Sequence, residues 1–287
     1  MFKRMISGTG LAALILLLGC SAVRAESAAS SARQAFSQSG TQGVGMTWTV
    51  ENLSFDGHLI ALDVLAAPND TQYAACNDIL GDYEDFAQAD EARAKGFIPL
   101  GFYCEADVST DSPDDVIPSV GSGRREGSNA IKQFRWLLTT EEAAQARSIQ
   151  LDCGIMETPG QLVSEEAYTL ALPEPAATTV AQVSVNTEQV KTDRIREILL
   201  TQTESLTNIY VYYDNADYGA RAPLDFVWSD HPDALVLDAY DEETRLSCRA
   251  LTLPTAELDW TDQTLPLRDL ENNQLITIDL QTGTAAL

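Results

Sequence analysis

The sequence predicts a mostly β protein built as two β-sandwich domains with one or two short helices. Apolar runs of period two recur along the chain, and Gly and Pro separate most of them at intervals of about 8–15 residues. Near the middle, Pro173-Glu174-Pro175-Ala176-Ala177-Thr178-Thr179 breaks the pattern, and a strand-turn-strand layout then starts again. This spacing favours sandwiches over alternating strands and helices. With 287 residues, 45 % of them hydrophobic, the chain is long for one sandwich, comfortable for two, and able to fill their cores.

The first element is a leader. Lys3 and Arg4 precede a short apolar run from Leu11 to Leu18, and small residues follow. The run is too short to cross ~30 Å of hydrocarbon, which takes roughly 20 helical residues. A basic start, a short apolar core and small residues before a cut form the pattern of a secretory signal. Leu17-Leu18-Gly19-Cys20 resembles the lipobox of bacterial lipoproteins. The resemblance covers only the leader and implies that Cys20 becomes the lipidated first residue of the mature chain. A cut after Val23-Arg24-Ala25 is the alternative and would release a soluble exported protein. The expected organisation is a signal peptide over 1–19, lipidated Cys20 with a flexible Ser/Ala/Gln/Gly-rich tether over 20–45, one sandwich over 46–172, a linker over 173–179 and a second sandwich over 180–287.

Within the first sandwich, Met46, Trp48 and Val50 alternate with polar residues as a half-buried strand. Phe55-Asp56-Gly57 signals a turn, and HLIALDVLA follows as the next strand. Residues 82–95 read either as a helix stopped at Gly96 or as an acidic loop with one helical turn. Phe134, Trp136 and Leu138 form one strand face, Thr139 and Glu142 have capping-box spacing, and Ile149, Leu151 and Cys153 form another strand face. A strand, a helical turn and a strand with an inward cysteine resemble the E–F corner of immunoglobulin-like sandwiches, over about 28 residues. The tyrosine of that corner is replaced by Leu151. AYTLAL closes the first sandwich, and in the second ILLTQTESLTNIYVYYDN repeats the opening hairpin layout. LDFVWS, ALVLDAY, RLSCRAL and QLITIDL supply further strands, with residues 241–244 as a tight connection.

A formal charge of −25 repels phosphate backbones, so nucleic acid is not an expected partner. Outside Cys20, the cysteines Cys76, Cys104, Cys153 and Cys248 form an even set, which in an exported protein suggests disulfides. Cys76–Cys104 is the first choice because its loop is shortest. Cys153–Cys248 would then clamp the two sandwiches, and Cys104–Cys153 is the competing pair. His58 and His231 stand outside any metal or triad spacing, and Gly121-Ser122-Gly123-Arg124-Arg125-Glu126-Gly127 reads as a hairpin loop rather than a phosphate cradle. No other cofactor is expected, but Asp107, Asp111, Asp114 and Asp115 are candidate calcium ligands, while Asp214-Asn215-Ala216-Asp217 fails the EF-hand pattern. Tyr210 and Tyr212 fall on one strand face and are candidates for partner binding. Together these features predict a non-enzymatic, lipid-anchored envelope module that binds a protein or glycan partner or serves as a spacer. The alternatives are an exported polysaccharide hydrolase using acidic residues and a calcium- or small-ligand-binding module.

Overall fold

Side-chain alternation sets the layers. In β2 (Gly45–Phe55), Met46, Trp48 and Val50 point into a core, and in β3 (Leu59–Pro68), Ile60, Leu62, Val64 and Ala66 do the same. A computed structural model describes residues 34–40, 44–76, 87–111, 120–158, 161–186, 195–214, 224–241, 246–257 and 263–287. The leader with Cys20, Asp114, Asp115, Asp217 and residues 242–244 of the expected connection lie outside the described residues.

The N-terminal half continues with β1 (Gln34–Ser39), β4 (Tyr73–Cys76), α1 (Ala87–Ala94), β5 (Ile98–Thr110), β6 (Val120–Glu126), β7 (Asn129–Leu137), α2 (Thr140–Gln145), β8 (Ala146–Thr158) and β9 (Gln161–Ala171). One sheet has the order β1-β2-β3-β7-β6 and the other β4-β5-β8-β9. Every pairing is antiparallel except the parallel β4–β5 pair. Setting aside β1 and β4, these are the A-B-E-D and C-F-G sheets of an immunoglobulin-like sandwich.

The C-terminal half has the same wiring. Its strands are β10 (Thr178–Ser184), β11 (Ile195–Gln202), β12 (Leu206–Asp214), β13 (Leu224–Phe226), β14 (Leu235–Asp241), β15 (Leu246–Pro254), β16 (Thr264–Asp269), β17 (Gln274–Asp279) and β18 (Ala285–Ala286). The sheets are β10-β11-β12-β15-β14 and β13-β16-β17-β18. Without the edge strands β10 and β18, β11-β12-β15-β14 is again A-B-E-D, and β13-β16-β17 is C-F-G. The E–F connection contains α2 in the first sandwich and a short 3₁₀ turn, Thr255–Glu257, in the second. The capping box at α2 forms as its spacing predicts: Thr139 Oγ1 accepts from Glu142 N at 3.2 Å, and Thr139 N donates to Glu142 Oε2 at 2.7 Å.

The two A-B-E-D sheets stack back to back. Leu59 and Ala61 on β3 and Leu137 on β7 turn away from the first core and meet Leu199, Leu206, Tyr210, Leu237, Cys248 and Ala250 of the second sandwich. The molecule therefore has four β layers, with a core inside each sandwich and a third buried cluster between them. Residues 33–287 form one compact unit.

At the centre of this contact sits Asp56, in the turn between β2 and β3. Its Oδ1 accepts from the backbone N–H groups of His58 (2.9 Å) and Leu59 (2.7 Å), and the turn is completed by Gly57 at φ 98°. Its Oδ2 crosses to the second sandwich and accepts from Thr201 Oγ1 (2.6 Å), Asn208 Nδ2 (2.7 Å) and Tyr210 OH (2.5 Å). The opposing turn answers with Ser205 Oγ donating to Asn52 Oδ1 at 2.9 Å. The Pro-rich connection lies beside the first turn, with Ala176 N donating to Phe55 O at 2.8 Å.

Some expectations need correction. Residues 34–39, placed in the tether, form β1. Phe36 stacks on Tyr168 with ring centroids 4.1 Å apart. Gln38 is buried, accepting from Trp48 Nε1 at 2.9 Å and donating to Ser164 Oγ at 3.0 Å. Cys104, Cys153 and Cys248 are buried free thiols, and Cys76 is buried as well. Cys76 stands opposite Gly101 in the β4–β5 register, about 10 Å along the strand from the level of Cys104. Cys76 also faces α1, with Ala89 and Ala92, whereas Cys104 faces the core. Cys153 lies in the first core and Cys248 between the sandwiches, so an entire sheet separates them and the clamp cannot form. Cys104 and Cys153 are direct cross-strand neighbours with hydrogen-bonded thiols; that bond and burial push the Cys153 thiol up.

Two outcomes follow from this architecture. Asp56→Ala leaves three buried donors without their acceptor and is expected to lower stability by about 3 kcal/mol in urea unfolding, against about 1–2 kcal/mol for Tyr210→Phe. A loss below 1 kcal/mol for Asp56→Ala would show that the carboxylate does not hold the sandwiches together. Thiol titration of the unfolded, non-reduced chain is expected to find the thiols of Cys104, Cys153 and Cys248 all free, and none of them reactive in the folded protein. Two thiols missing would mean that Cys104 and Cys153 are bridged.

Candidate functional site

The stacked sheets do not close completely around Asp56. A cleft of about 470 Å³ opens between the sandwiches, within the size range of small-molecule sites and at the kind of boundary such sites favour. The first sandwich contributes the Asp56 turn with His58, then Leu137 at the end of β7 and Thr139 and Thr140 at the start of α2. The second contributes Thr179 and Gln182 of β10, Arg196, Glu197, Leu199 and Thr201 of β11, Tyr212 of β12, Ala239 and Tyr240 of β14, and Cys248 of β15. Leu137, Leu199 and Cys248 are buried and make an apolar floor, while Thr140, Thr179, Gln182 and Arg196 are exposed at the rim.

The charged groups of the cleft are engaged within the protein. Asp56 accepts five hydrogen bonds, all from neutral donors. Arg196 is ion-paired with Asp214, and Glu197 Oε1 accepts from Gln182 Nε2 at 2.7 Å. Burial pushes the Tyr212 phenol up and, more than any other cause, raises the Cys248 thiol, while the hydrogen bond from Tyr212 pulls that thiol slightly back. Both groups stay protonated at neutral pH, so Cys248 is a poor nucleophile. The His58 ring lies against Tyr210 with centroids 5.5 Å apart. A cleft of satisfied charges, protonated hydroxyls and apolar floor suits the holding of a neutral molecule.

A smaller cavity of about 310 Å³ between the sandwiches is lined by Asp63, Arg124, Glu126, Gln133, Arg135, Leu206, Asp233, Thr252 and Pro254. Its charges also pair with each other. Arg135 Nη1 donates to Asp63 Oδ1 at 2.7 Å, and Arg124 bridges to Asp233 and Glu126.

The predicted site residues fare differently. Tyr210 and Tyr212 do share a face, but that face is covered by the first sandwich: Tyr210 is fully buried with its hydroxyl on Asp56, and only Tyr212 borders the cleft. An exposed tyrosine pair is therefore excluded. Of the candidate calcium ligands, Asp111 is held by Arg147 through Nε at 3.1 Å and a second contact from Nη2. Asp107 is four residues back along an extended strand, roughly 13 Å away. Among the described residues no group of three or more His, Cys, Asp or Glu converges to hold a metal. The glycine-arginine segment is not a loop but strand β6 and a tight turn at Gly127 (φ 65°). Arg125 is spent on the carbonyls of Gln88 and Gly127, both at 2.9 Å. His231 Nδ1 accepts from Asp233 N at 3.2 Å in a turn remote from His58 in sequence.

What sequence reasoning missed is the cleft itself. Its residues come from the Asp56 turn, β7, the start of α2 and five strands of the other half, and only the unbroken apolar run of Leu59 to Leu62, apolar on both faces, hinted that the outer face of the first sheet is covered. The sequence matches no family model, and no curated protein matches it.

Burial, then the charge of Asp56 and the hydrogen bond to it, raise the Tyr210 phenol. A raised acid stabilises the fold fully below its unfolded value of about 10, and that contribution is lost as pH climbs above it. Unfolding free energy is therefore expected to fall above pH ~10, by about 1.4 kcal/mol per pH unit for each tyrosine kept protonated only in the folded state. Tyr210→Phe should flatten the decline by about one such increment. An unchanged slope would mean that Tyr210 ionises freely in the fold.

Proposed function

We propose that this chain is an exported, lipid-anchored envelope protein that binds a small partner molecule in the cleft between its two stacked sandwiches and carries out no chemistry on it. The observation that carries this is the cleft of about 470 Å³ whose charged and nucleophilic groups are already engaged or held protonated by the protein itself. Such a site has shape and hydrogen-bonding groups to recognise a ligand, and its one cysteine is held as a thiol rather than as a thiolate that could attack it. The anchor is supported by the basic start, the short apolar run and the Leu17-Leu18-Gly19-Cys20 sequence. Lipidation with two or more acyl chains would give stable membrane attachment. Residues 21–33, rich in Ser and Ala, would then space the sandwiches from the bilayer. The strongly negative charge would keep the folded body off anionic headgroups.

Two measurements test the two parts. Cys20→Ala is expected to move the protein from the membrane fraction to the soluble fraction without changing its melting temperature; retention in the membrane would remove the anchor. The neutral aromatic probe 2-naphthol is expected to bind saturably, and Ala239→Trp, which fills the cleft, should abolish that binding. Binding that survives Ala239→Trp, or no saturable binding at all, would remove the cleft as the site.

A further inference from the structure

We infer that the ligand of the cleft is a neutral saccharide of one or two rings. The assignment rests on the cleft being a binding site, as proposed above, and goes further by naming what it binds.

Charge comes first. Arg196 is ion-paired with Asp214, and Asp56 and Glu197 are bonded to neutral donors. An anionic ligand would have to break the Arg196 pair while entering the field of a chain with a formal charge of −25. A cationic ligand would have to take Asp56 from five donors that also form the contact between the sandwiches, which leaves it Glu197, next in sequence to Arg196, as the other carboxylate of the lining. A neutral ligand faces neither cost.

Surface chemistry then separates sugars from other neutral molecules. A purely apolar ligand would match the floor of Leu137, Leu199 and Ala239 but would strip water from the hydroxyls of Thr139, Thr140 and Thr179 and the amide of Gln182 without replacing their hydrogen bonds. A saccharide has both surfaces. Its C–H face packs on apolar and aromatic groups, here the floor and the ring of Tyr212, and its edge of hydroxyls gives and accepts hydrogen bonds at the rim. The Gln182–Glu197 pair suits this edge particularly well. With Gln182 Nε2 committed to Glu197, the Gln182 carbonyl oxygen can accept from one sugar hydroxyl while Glu197 accepts from another. Location agrees with volume: about 470 Å³ is room for one or two sugar rings and too little for a long chain to lie enclosed.

The test is competition against 2-naphthol on the full mature chain, using maltose, cellobiose and N,N′-diacetylchitobiose as neutral probes. Cellobiuronic acid and chitosan disaccharide serve as the charged counterparts. At least one neutral disaccharide is expected to displace 2-naphthol and the charged ones to do so at least tenfold less well. Tyr212→Ala and Gln182→Ala should each weaken the sugar about tenfold. Tyr212→Phe, which keeps the ring, should restore most of the loss, which a variant that merely misfolds would not do. If 2-naphthol binds in the cleft and no neutral disaccharide displaces it, the saccharide assignment is overturned while the cleft stands. Preferential displacement by a charged disaccharide also overturns it, and failure of 2-naphthol itself to bind overturns both.

Discussion

The contact on which the rest of the structure depends is a carboxylate shared between two sandwiches. Asp56 closes its own turn with one oxygen and receives Thr201, Asn208 and Tyr210 of the other sandwich with the second. Forming the β2–β3 turn and docking the sheets are therefore one event at this position. Five donors replace the water that the carboxylate loses, so half-burial of a charge is tolerated without a cation beside it. The donors are fixed in turn: Thr201 and Asn208 are opposite one another in the β11–β12 register, and Tyr210 follows two residues along on the same face. A shift of that hairpin by one residue would turn all three groups into the second core and leave Asp56 unpaired.

This constraint also explains why the two halves share wiring but not chemistry. The first sandwich packs aromatic side chains, with Trp48 edge-on to Phe102 at 5.7 Å, and buries Trp136 completely. The second fills its core with Ile and Leu. In each, the inner face of the A-B-E-D sheet belongs to its own core, but the outer faces have to satisfy each other. Hence residues 59–62 of β3 and 206–211 of β12 are buried on both faces, and the polar contact of Asp56 with Asn208 and Tyr210 is set among them. The interface is more polar than either core, as contacts between covalently linked domains generally are. Arg135 Nε, Asn208 Oδ1 and Thr252 Oγ1 are buried here without hydrogen-bond partners. Each such group costs about 1–3 kcal/mol, so the two cores hold more stability per residue than the seam between them.

Much of the architecture was legible because sandwich strands advertise themselves by alternation. The opening hairpins of both halves, the capping box at Thr139 and the E–F layout around Cys153 could all be read from spacing. Strands that break the alternation could not. β5 carries Pro99 and Gly101 and, beyond Cys104, alternates core residues with Glu105 and Asp107, so it resembled an acidic loop. β1 has only Phe36 and Gln38 to bury, and a polar Gln at a core position gives no apolar signal even though its amide is what seats Trp48. Face assignment succeeded for Tyr210 and Tyr212, but whether a face meets water or another sheet depends on contacts more than 140 residues apart along the chain. Cysteine pairing failed for the same reason. Loop length favoured Cys76 with Cys104, whereas strand register placed Cys153 opposite Cys104 and left Cys76 under a helix.

The chain's acidity has a spatial logic that bears on recognition. Glu105 and Asp152 sit directly across from each other in the β5–β8 register, on the face turned away from the core, where like charges repel but remain hydrated. Carboxylates that approach the seam are treated differently: Asp56 is saturated by neutral donors, Asp63 is paired with Arg135, and Asp233 with Arg124. Repelling negative charge is thus kept on outer surfaces, and the carboxylates of the seam are spent on hydrogen bonds and ion pairs within the protein. In the proposed binding role, such a cleft inside a strongly negative body would disfavour anions by long-range repulsion and offer a cation only a saturated carboxylate at its floor. Selectivity in that role would come from shape and hydrogen bonding, which need the two sheets to keep their spacing. The Asp56 contact maintains that spacing, and the same five hydrogen bonds that join the sandwiches also remove the one floor carboxylate that would otherwise have attracted charge.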